Sequence, residues 1–446
     1  MAHIRRAESE ACIGNRRTTQ RDDVTVSDDS RIDFQEVDEG AGEIELTPPE
    51  LFAANLIEWA LERHVSDLFL SDVDGAVMVT VRRLGRIEPV RRFAPAYGHR
   101  LQGHFRVLAG ADAGEAVRPS EGRGRLTTPD GSTAHLRLSC VPTVFGHDVA
   151  IRLFDPRRGR RSIQQLGMDT VDVQAIERLV RRKSGLILVT GPVASGKSCT
   201  LYAMLDYLNN GTKKIHTIED PVEHPISGIM QSQVNTKLKM DFADLLTVVL
   251  RHSPDVIMIG EVRDRQTART AVRAGASGQL VLATVHSRSA AEAIEMMLQY
   301  ESDHKFLSSS LCGVINQRLI RRLCPECRQP FEITDVYEVP DRVRTRMGQD
   351  NPTVFTAGQC NTCHDGGFDH LISMPEVMVV DDQIINAISN RATATEIESI
   401  SITNGMLTLP EVALSYVMRG LTSIDEVNQV LNDPVLAGLG RQWNRE

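Results

Sequence analysis

The stretch Leu186–Leu205, LILVTGPVASGKSCTLYAML, decides the fold. Leu186 to Val189 reads as a buried strand, Gly191 to Ser198 matches the spacing G-x-x-x-x-G-K-S, and an apolar pattern then resumes at helical spacing. Strand, glycine loop and helix in that order give the motif its meaning. Gly191, Pro192, Val193, Ala194, Ser195, Gly196, Lys197 and Ser198 are therefore the expected cradle for nucleotide phosphates. Its glycines let backbone N–H groups turn inward, Lys197 places a cation on the β and γ phosphates, and Ser198 offers a hydroxyl to Mg2+. The dipole of the following helix favours the same anion. The bland alternative, a glycine turn before an ordinary helix, fits this context poorly.

Outward from the loop, KKIHTIED (213–220), DVIMIGEVRD (255–264) and GQLVLATVHS (278–287) are further short apolar runs with helical segments between them. That grammar predicts a mostly parallel sheet covered by helices, which takes ligands at the carboxyl ends of its strands. Glu261 ends one such strand, where its carboxylate would face a γ-phosphate. TIEDPVEH (217–224) offers Glu219, Asp220 and Glu223, and ATVHS (283–287) offers His286 as a phosphate contact or relay. Taken singly, acids after strands are commonly solvated loop ends, and a lone histidine is commonly structural. Three polar strand ends beside one cradle shift that balance.

The whole chain bounds the rest. Its 446 residues exceed a usual single core, so two or three domains are expected. A net charge of -9 gives no global reason for nucleic-acid binding, and protein partners are the better default. No apolar run approaches the roughly 18–20 residues of a membrane span, and MAHIRRAESEACIGNRR (1–17) lacks the apolar core of a signal peptide. A cytoplasmic, reducing location is expected. Of eight cysteines, Cys324 and Cys327 form CPEC, Cys360 and Cys363 form CNTC, and four stand alone, which is not a secreted disulfide framework. Each pair can grip one side of a tetrahedral Zn2+ as thiolates. The 32 residues between the pairs exceed a compact zinc ribbon, while a redox role lacks the strand-to-helix setting it needs.

Composition divides the chain into a polar, disordered tail (1–47), a compact domain (48–156), an arginine-rich linker (157–171), the nucleotide-binding core (172–320), the cysteine segment (321–370) and a helical region (371–446). The second segment opens with a helix whose face carries Leu51, Ala54, Leu56, Ile57, Ala60 and Leu61. It closes with a hairpin, AHLRLSCVPTVFGHDVAIRLFD (134–155), turning near Gly146.

In the order GPVASGKSCTLYAML, IEDPVEHPI, LRHSPDVIMIGEVRD and LVLATVHSRSA, the chain resembles the ATPases of type II secretion and type IV pilus assembly. The resemblance covers nearly everything after the tail. It implies an α/β fold: a RecA-like P-loop NTPase core, an N-terminal PAS-like domain, and a small tetracysteine zinc lobe followed by helices. It implies homohexameric motors using ATP, Mg2+ and Zn2+, acting on an inner-membrane platform or docking protein at the cytoplasmic face, without direct nucleic-acid contact. Carried over by position, Lys197 and Ser198 serve phosphate and Mg2+, Glu223 belongs to the Asp box, Glu261 is the Walker B glutamate that orients water, and His286 belongs to the His box. ALERHVSDLFL (60–70) and AGEAVRPSEGRGRL (113–126) resemble segments of the PAS-like domain. Arg137 and Arg152 then stand where the family places arginines that reach a nucleotide on another subunit; a solvated or ion-paired strand arginine is the plain alternative. The cysteine module resembles that of exporting and extending members and is absent from retraction motors. A regulator without turnover, a retraction motor and a conjugation-type ATPase are the rival readings. Val193, Ala194, Ser198, Cys199, Ser253 and Gln279 depart from the family's usual letters, as does HDGGFDHLISMPEV (364–377) after the second cysteine pair.

Overall fold

The computed structural model describes residues 47–111, 118–131, 133–154, 161–300, 303–331, 339–348 and 353–433. The expected tail lies outside them except for Thr47. The chain divides into two compact units, Met1–Phe154 and Asp155–Glu446.

The first unit runs α1 (Pro49–Glu62), β1 (Val65–Val73), β2 (Ala76–Arg83), β3 (Arg86–Phe93), α2 (Pro95–Leu108), β4 (Ser120–Thr127), β5 (Thr133–Thr143) and β6 (Gly146–Phe154). Pro49 starts α1 at a position where a missing N–H costs nothing. The buried face of α1 carries Phe52 and Ala53 with Leu56, Ile57, Ala60 and Leu61, whereas Leu51, expected inside, is 45% exposed. Aromatic packing sets that rotation, because Phe52 meets Phe93 and Tyr97 edge-on at 5.2 and 6.1 Å. The six described strands form an antiparallel sheet in the order β3-β2-β1-β6-β5-β4. The expected hairpin is β5–β6, with Val144 and Phe145 at its tip and Arg137 directly opposite Arg152.

In the second unit the order is α3 (Thr170–Val180), β7 (Gly185–Thr190), α4 (Lys197–Leu208), β8 (Ile215–Glu219), β9 (Met230–Gln233), α5 (Phe242–Val249), β10 (Val256–Ile259), α6 (Arg265–Ala276), β11 (Leu280–Thr284), α7 (Ala290–Tyr300), α8 (His304–Ser310) and β12 (Leu311–Leu323). There follow β13 (Gln329–Phe331), α9 (Asp341–Met347), β14 (Val354–Thr356), β15 (Phe368–Val379), α10 (Asp382–Ser389), α11 (Ala394–Thr403), α12 (Leu409–Met418) and α13 (Ile424–Leu431). Seven of the described strands form one sheet, β15-β12-β7-β11-β10-β8-β9. It is parallel from β12 to β9, with β15 antiparallel at one edge. Along β7, Leu186 and Leu188 enter one apolar cluster and Ile187 and Val189 another, so both faces are buried, as the unbroken apolar run predicts.

The expected boundaries at 320 and 370 fall inside β12 and β15. These strands pair from Gly313↔Val379 to Leu323↔Phe368, so the cysteine segment is an excursion between two rungs of the core sheet. The second half of the expected linker is also ordered, since Ile163 and Leu166 of a 3-10 turn are buried in the cluster shared with α4. Residues 157–160 of the linker, with 155 and 156 before it, lie outside the described residues. Among the described residues, no helix is long and apolar enough to cross a membrane.

Candidate nucleotide site and cysteine centre

Parallel pairing brings the carboxyl ends of β7, β8, β10 and β11 to one edge of the sheet. The loop after β7 turns through Gly191, at φ 141°, and enters α4 through Gly196, at φ 87°. A Cβ on Gly191 would meet the Gln317 carbonyl at 2.5 Å, so the loop's close approach to β12 requires glycine. Gln317 also fixes the loop by side chain: its amide donates to the Ser195 carbonyl at 2.7 Å and accepts from Thr200 Oγ1 at 2.8 Å.

Three features of this loop fit an anion. Among the described residues, the first turn of α4 has no side-chain cap and the buried Ser195 Oγ has no hydrogen-bond partner. Lys197 Nζ donates to the carbonyls of Gly191 and Pro192, each at 2.8 Å, contacts within its own loop that a phosphate can replace. Burial lowers the Lys197 pKa, Glu261 opposes that shift and Arg318 adds to it. An ammonium held under those conditions gains from an incoming negative charge. Ser198 is exposed at the helix start, with a hydroxyl suited to Mg2+.

Glu261 follows β10 by two residues. One carboxylate oxygen accepts from Arg263 at 2.6 Å and the other lies 3.1 Å from His286 Nε2. Burial pushes this carboxyl up, but the hydrogen bond and charge of Arg263, with those of His286, outweigh it and hold it below its ordinary value. His286 Nδ1 lies 3.3 Å from the Gly191 carbonyl. Thus His286 bridges the phosphate loop and Glu261, two residues the sequence places together only through the sheet. Thr190 Oγ1 bonds the Ser287 hydroxyl at 2.8 Å and closes the same corner.

Glu223 is exposed in the loop after β8, and its backbone N–H donates to Tyr202 Oη at 3.3 Å. Tyr202 lies on α4, so this contact ties the Glu223 backbone to the helix that begins at Lys197. Glu219 is instead buried, bound by Tyr202, Thr217 and Gln231, and so is a structural acid rather than a solvated loop end. Asp220 lies close enough to Arg263 to raise its pKa, though less than Glu261 does.

Arg137 and Arg152 belong to the first unit. Each is about half exposed, Arg152 Nε lies 3.0 Å from Asp67, and Arg137 lies 3.8 Å from Glu121. Arg123 faces Arg137 on the other side, and Arg82 faces Asp67, so four arginines and one aspartate share a single cross-strand row. Like charges directly opposite repel, and Asp67 offsets part of that cost. Arg123, Arg263 and Gln317 were not singled out in the sequence; Arg263 alone carried a signal, two residues after Glu261.

Cys324, Cys327, Cys360 and Cys363 converge with their sulfur atoms within 4.8 Å of one another. The Cys324–Cys360, Cys327–Cys363 and Cys360–Cys363 separations are 3.8, 3.7 and 3.7 Å. A tetrahedral Zn2+ with Zn–S bonds of about 2.3 Å requires sulfur separations of about 3.8 Å, so the donor set fits that ion. A backbone hydrogen bond from Cys363 pulls the Cys360 thiol down to about 7, whereas burial pushes Cys327 up.

A family model described as "Type II/IV secretion system protein" matches residues 44–429. "Type II secretion system protein E" of Pseudomonas aeruginosa is 36% identical over 381 residues, covering 84% of this chain and 74% of the relative. "Type IV pilus assembly ATPase PilB" of Thermus thermophilus is 32% identical over 391 residues, covering 86% of this chain and 43% of that protein. The solved structure of the Legionella pneumophila ATPase DotB aligns with a TM-score of 0.65 at 16% identity, covering 89% of this chain and 98% of that one. The pilus retraction motor PilT with bound ADP aligns at 0.56 and 24% identity, covering 86% and 97%. Both structural likenesses bear on the fold alone, an α/β fold with a RecA-like P-loop core.

Proposed function

Because the chain belongs to the type II/IV secretion system protein family, whose members include secretion and pilus-assembly ATPases, we propose that it hydrolyses ATP with Mg2+ as a homohexameric motor. The work proposed is assembly of a pilus or type II secretion pseudopilus through an inner-membrane platform protein, at the cytoplasmic face. The observation that carries the reading is the convergence of Gly191, Lys197, Glu261 and His286 at one sheet edge.

Lys197 would exchange its loop carbonyls for the nucleotide phosphates, and Ser198 would hold Mg2+, which would supply charge neutralisation at the phosphate oxygens. Glu261, kept ionised by Arg263, orients the attacking water, and Glu223 supplies a second carboxylate from the neighbouring loop. His286 senses the phosphate because any shift of the Gly191 carbonyl or of Glu261 moves one of its contacts. Arg137 and Arg152 are assigned to a nucleotide held by another subunit. Zn2+ on the four cysteines is structural, and the presence of the module supports assembly over retraction.

Phosphate-release assays on two variants test the core of this reading. Lys197→Ala is expected to abolish nucleotide binding, and Glu261→Gln to retain binding while turnover falls by about 100-fold or more. Normal turnover in Glu261→Gln would remove the water-orienting role. Glu261→Gln should also co-purify envelope assembly proteins from the native host, and recovery of DNA-transfer proteins would point to the conjugation-type reading instead.

A further inference from the structure

The first turn of α4 carries Lys197 and Ser198, and a little over one turn further on the same helix carries Tyr202. Its ring is buried, 6% exposed, and a buried phenol needs a hydrogen-bond partner for its hydroxyl. Tyr202 finds two. It donates to Glu219 at the end of β8, and it accepts from the backbone N–H of Glu223 at 3.3 Å. Burial and the Glu219 carboxylate both push the phenol's pKa up, so it stays protonated and the donor direction toward Glu219 is fixed.

We propose that Tyr202 is a positioning residue for Glu223, tying the loop that carries this acid to the helix that carries Lys197 and Ser198. Glu219 acts as the anchor. Its second oxygen accepts from Thr217 Oγ1 at 2.6 Å and from Gln231 Nε2 at 3.0 Å, so both oxygens of the buried carboxylate are bonded, by donors from α4, β8 and β9. Gln231 holds the far side of the loop, accepting from the Ile226 N–H at 2.6 Å and donating to the His224 carbonyl at 3.2 Å. The His224 ring packs edge-on against Tyr202, with centroids 4.5 Å apart and planes at 89°. The Glu223 loop is therefore hung between Tyr202 and Gln231. A phosphate-driven movement of α4 would pass directly to the acid, without Tyr202 touching nucleotide.

The inference rests on the hydrolysis reading and on the role of Glu223 within it. Tyr202→Phe deletes one oxygen and keeps the ring against His224. It removes one donor from Glu219 and the Tyr202 contact from the Glu223 N–H. Displacing a reacting group by about 1 Å can lower turnover by about 100-fold, and partial loosening should cost about 10- to 50-fold in kcat. KM for ATP and affinity for a fluorescent ADP analogue should stay within about 3-fold, because the phosphate-binding atoms are untouched. In a Glu223→Gln background the same substitution should add less than about 2-fold, since a residue acting only through Glu223 has nothing left to position.

The proposal is overturned if Tyr202→Phe retains full kcat, or if it costs as much in the Glu223→Gln background as in wild type. Gln231→Met, which cuts the other tether at a less buried position, should reproduce the kcat-selective loss even if Tyr202→Phe folds poorly; normal kcat there also counts against the proposal. Glu223→Gln alone reports on the underlying reading. Intact turnover in it removes the role of Glu223 and the proposal with it, whereas its inactivity beside a fully active Tyr202→Phe overturns only the positioning role.

Discussion

The phosphate-loop edge of the sheet and the cysteine lobe both gather polar groups from distant parts of the chain, but different forces hold them. At the phosphate loop, β7, β10 and β11 are buried between two apolar layers, and the polar residues project from a scaffold that is already packed. The cysteine lobe has β13, α9 and β14 between its cysteine pairs, and among the described residues of that stretch only Val339, Val343 and Val354 are buried in an apolar cluster, shared with β15, α12 and α13. Its other fastenings include Arg328, stacked 4.4 Å from the Phe355 ring and bonded to the Gly420 carbonyl at 2.5 Å. Nearby, Arg321 and Glu426 form a buried ion pair at 2.5 Å between β12 and α13. A scaffold of the first kind needs its ligand in order to act. In the lobe, the proposed Zn2+ would add a tie between the two cysteine pairs to that packing.

Substitution should therefore separate activity from stability in opposite ways at the two places. The largest effect is expected at the loop, where Lys197→Ala should abolish nucleotide binding and so lower turnover by at least about 10³-fold, measured by phosphate release. Its melting temperature should nonetheless match or exceed wild type. Burial lowers the Lys197 pKa, so the folded state binds that proton less tightly than the unfolded chain does, and removing the amine removes an unfavourable charge. A large fall in melting temperature would show that the loop is part of the scaffold after all. Next in size, Cys324→Ser should release Zn2+ and cost about 3 kcal/mol, seen as a fall of roughly 10 °C in melting temperature. Turnover per folded molecule should change by less than about 3-fold at temperatures below that transition. Equal zinc content in variant and wild type, measured by metal analysis, would sink the structural-metal assignment.

The two places were also unequally legible in the sequence. The phosphate loop was readable because its chemistry is local: backbone turns at Gly191 and Gly196 and a lysine one residue later occupy consecutive positions. The strand ends Glu261 and His286 were readable because parallel strands present their carboxyl ends at one edge. The hairpin turn near Gly146 fixed the register that sets Arg137 opposite Arg152. What the sequence hid was contact across elements. Nothing local marks Gln317 as the residue that bonds the Ser195 carbonyl, or Tyr202 as the one that bonds the Glu223 N–H. The cysteines suggested a module beginning at 321. The ladder between β12 and β15 continues past that point because backbone pairing does not depend on which side chains draw the eye.

The smallest expected effect probes the electrostatics of the loop edge, where burial and charge act against each other on Glu261. Burial alone would raise its pKa, and Arg263, followed by His286, reverses the sign. Because the folded value lies below the unfolded carboxyl value of about 4.3, the stability from these contacts is fully present above that pH and is lost as pH falls through the folded value. Between pH 7 and 5, therefore, Glu261 should remain ionised and should not shape the rate profile. Arg263→Gln removes the largest lowering influence while leaving burial in place, so the acid limb of the kcat profile should move to higher pH. Turnover at pH 8 should fall only a few-fold, since the carboxylate is ionised there in either protein. Superimposable acid limbs would mean that Arg263 orients Glu261 without tuning it, and the ion pair at this edge would then be scaffold, as the cysteine lobe is.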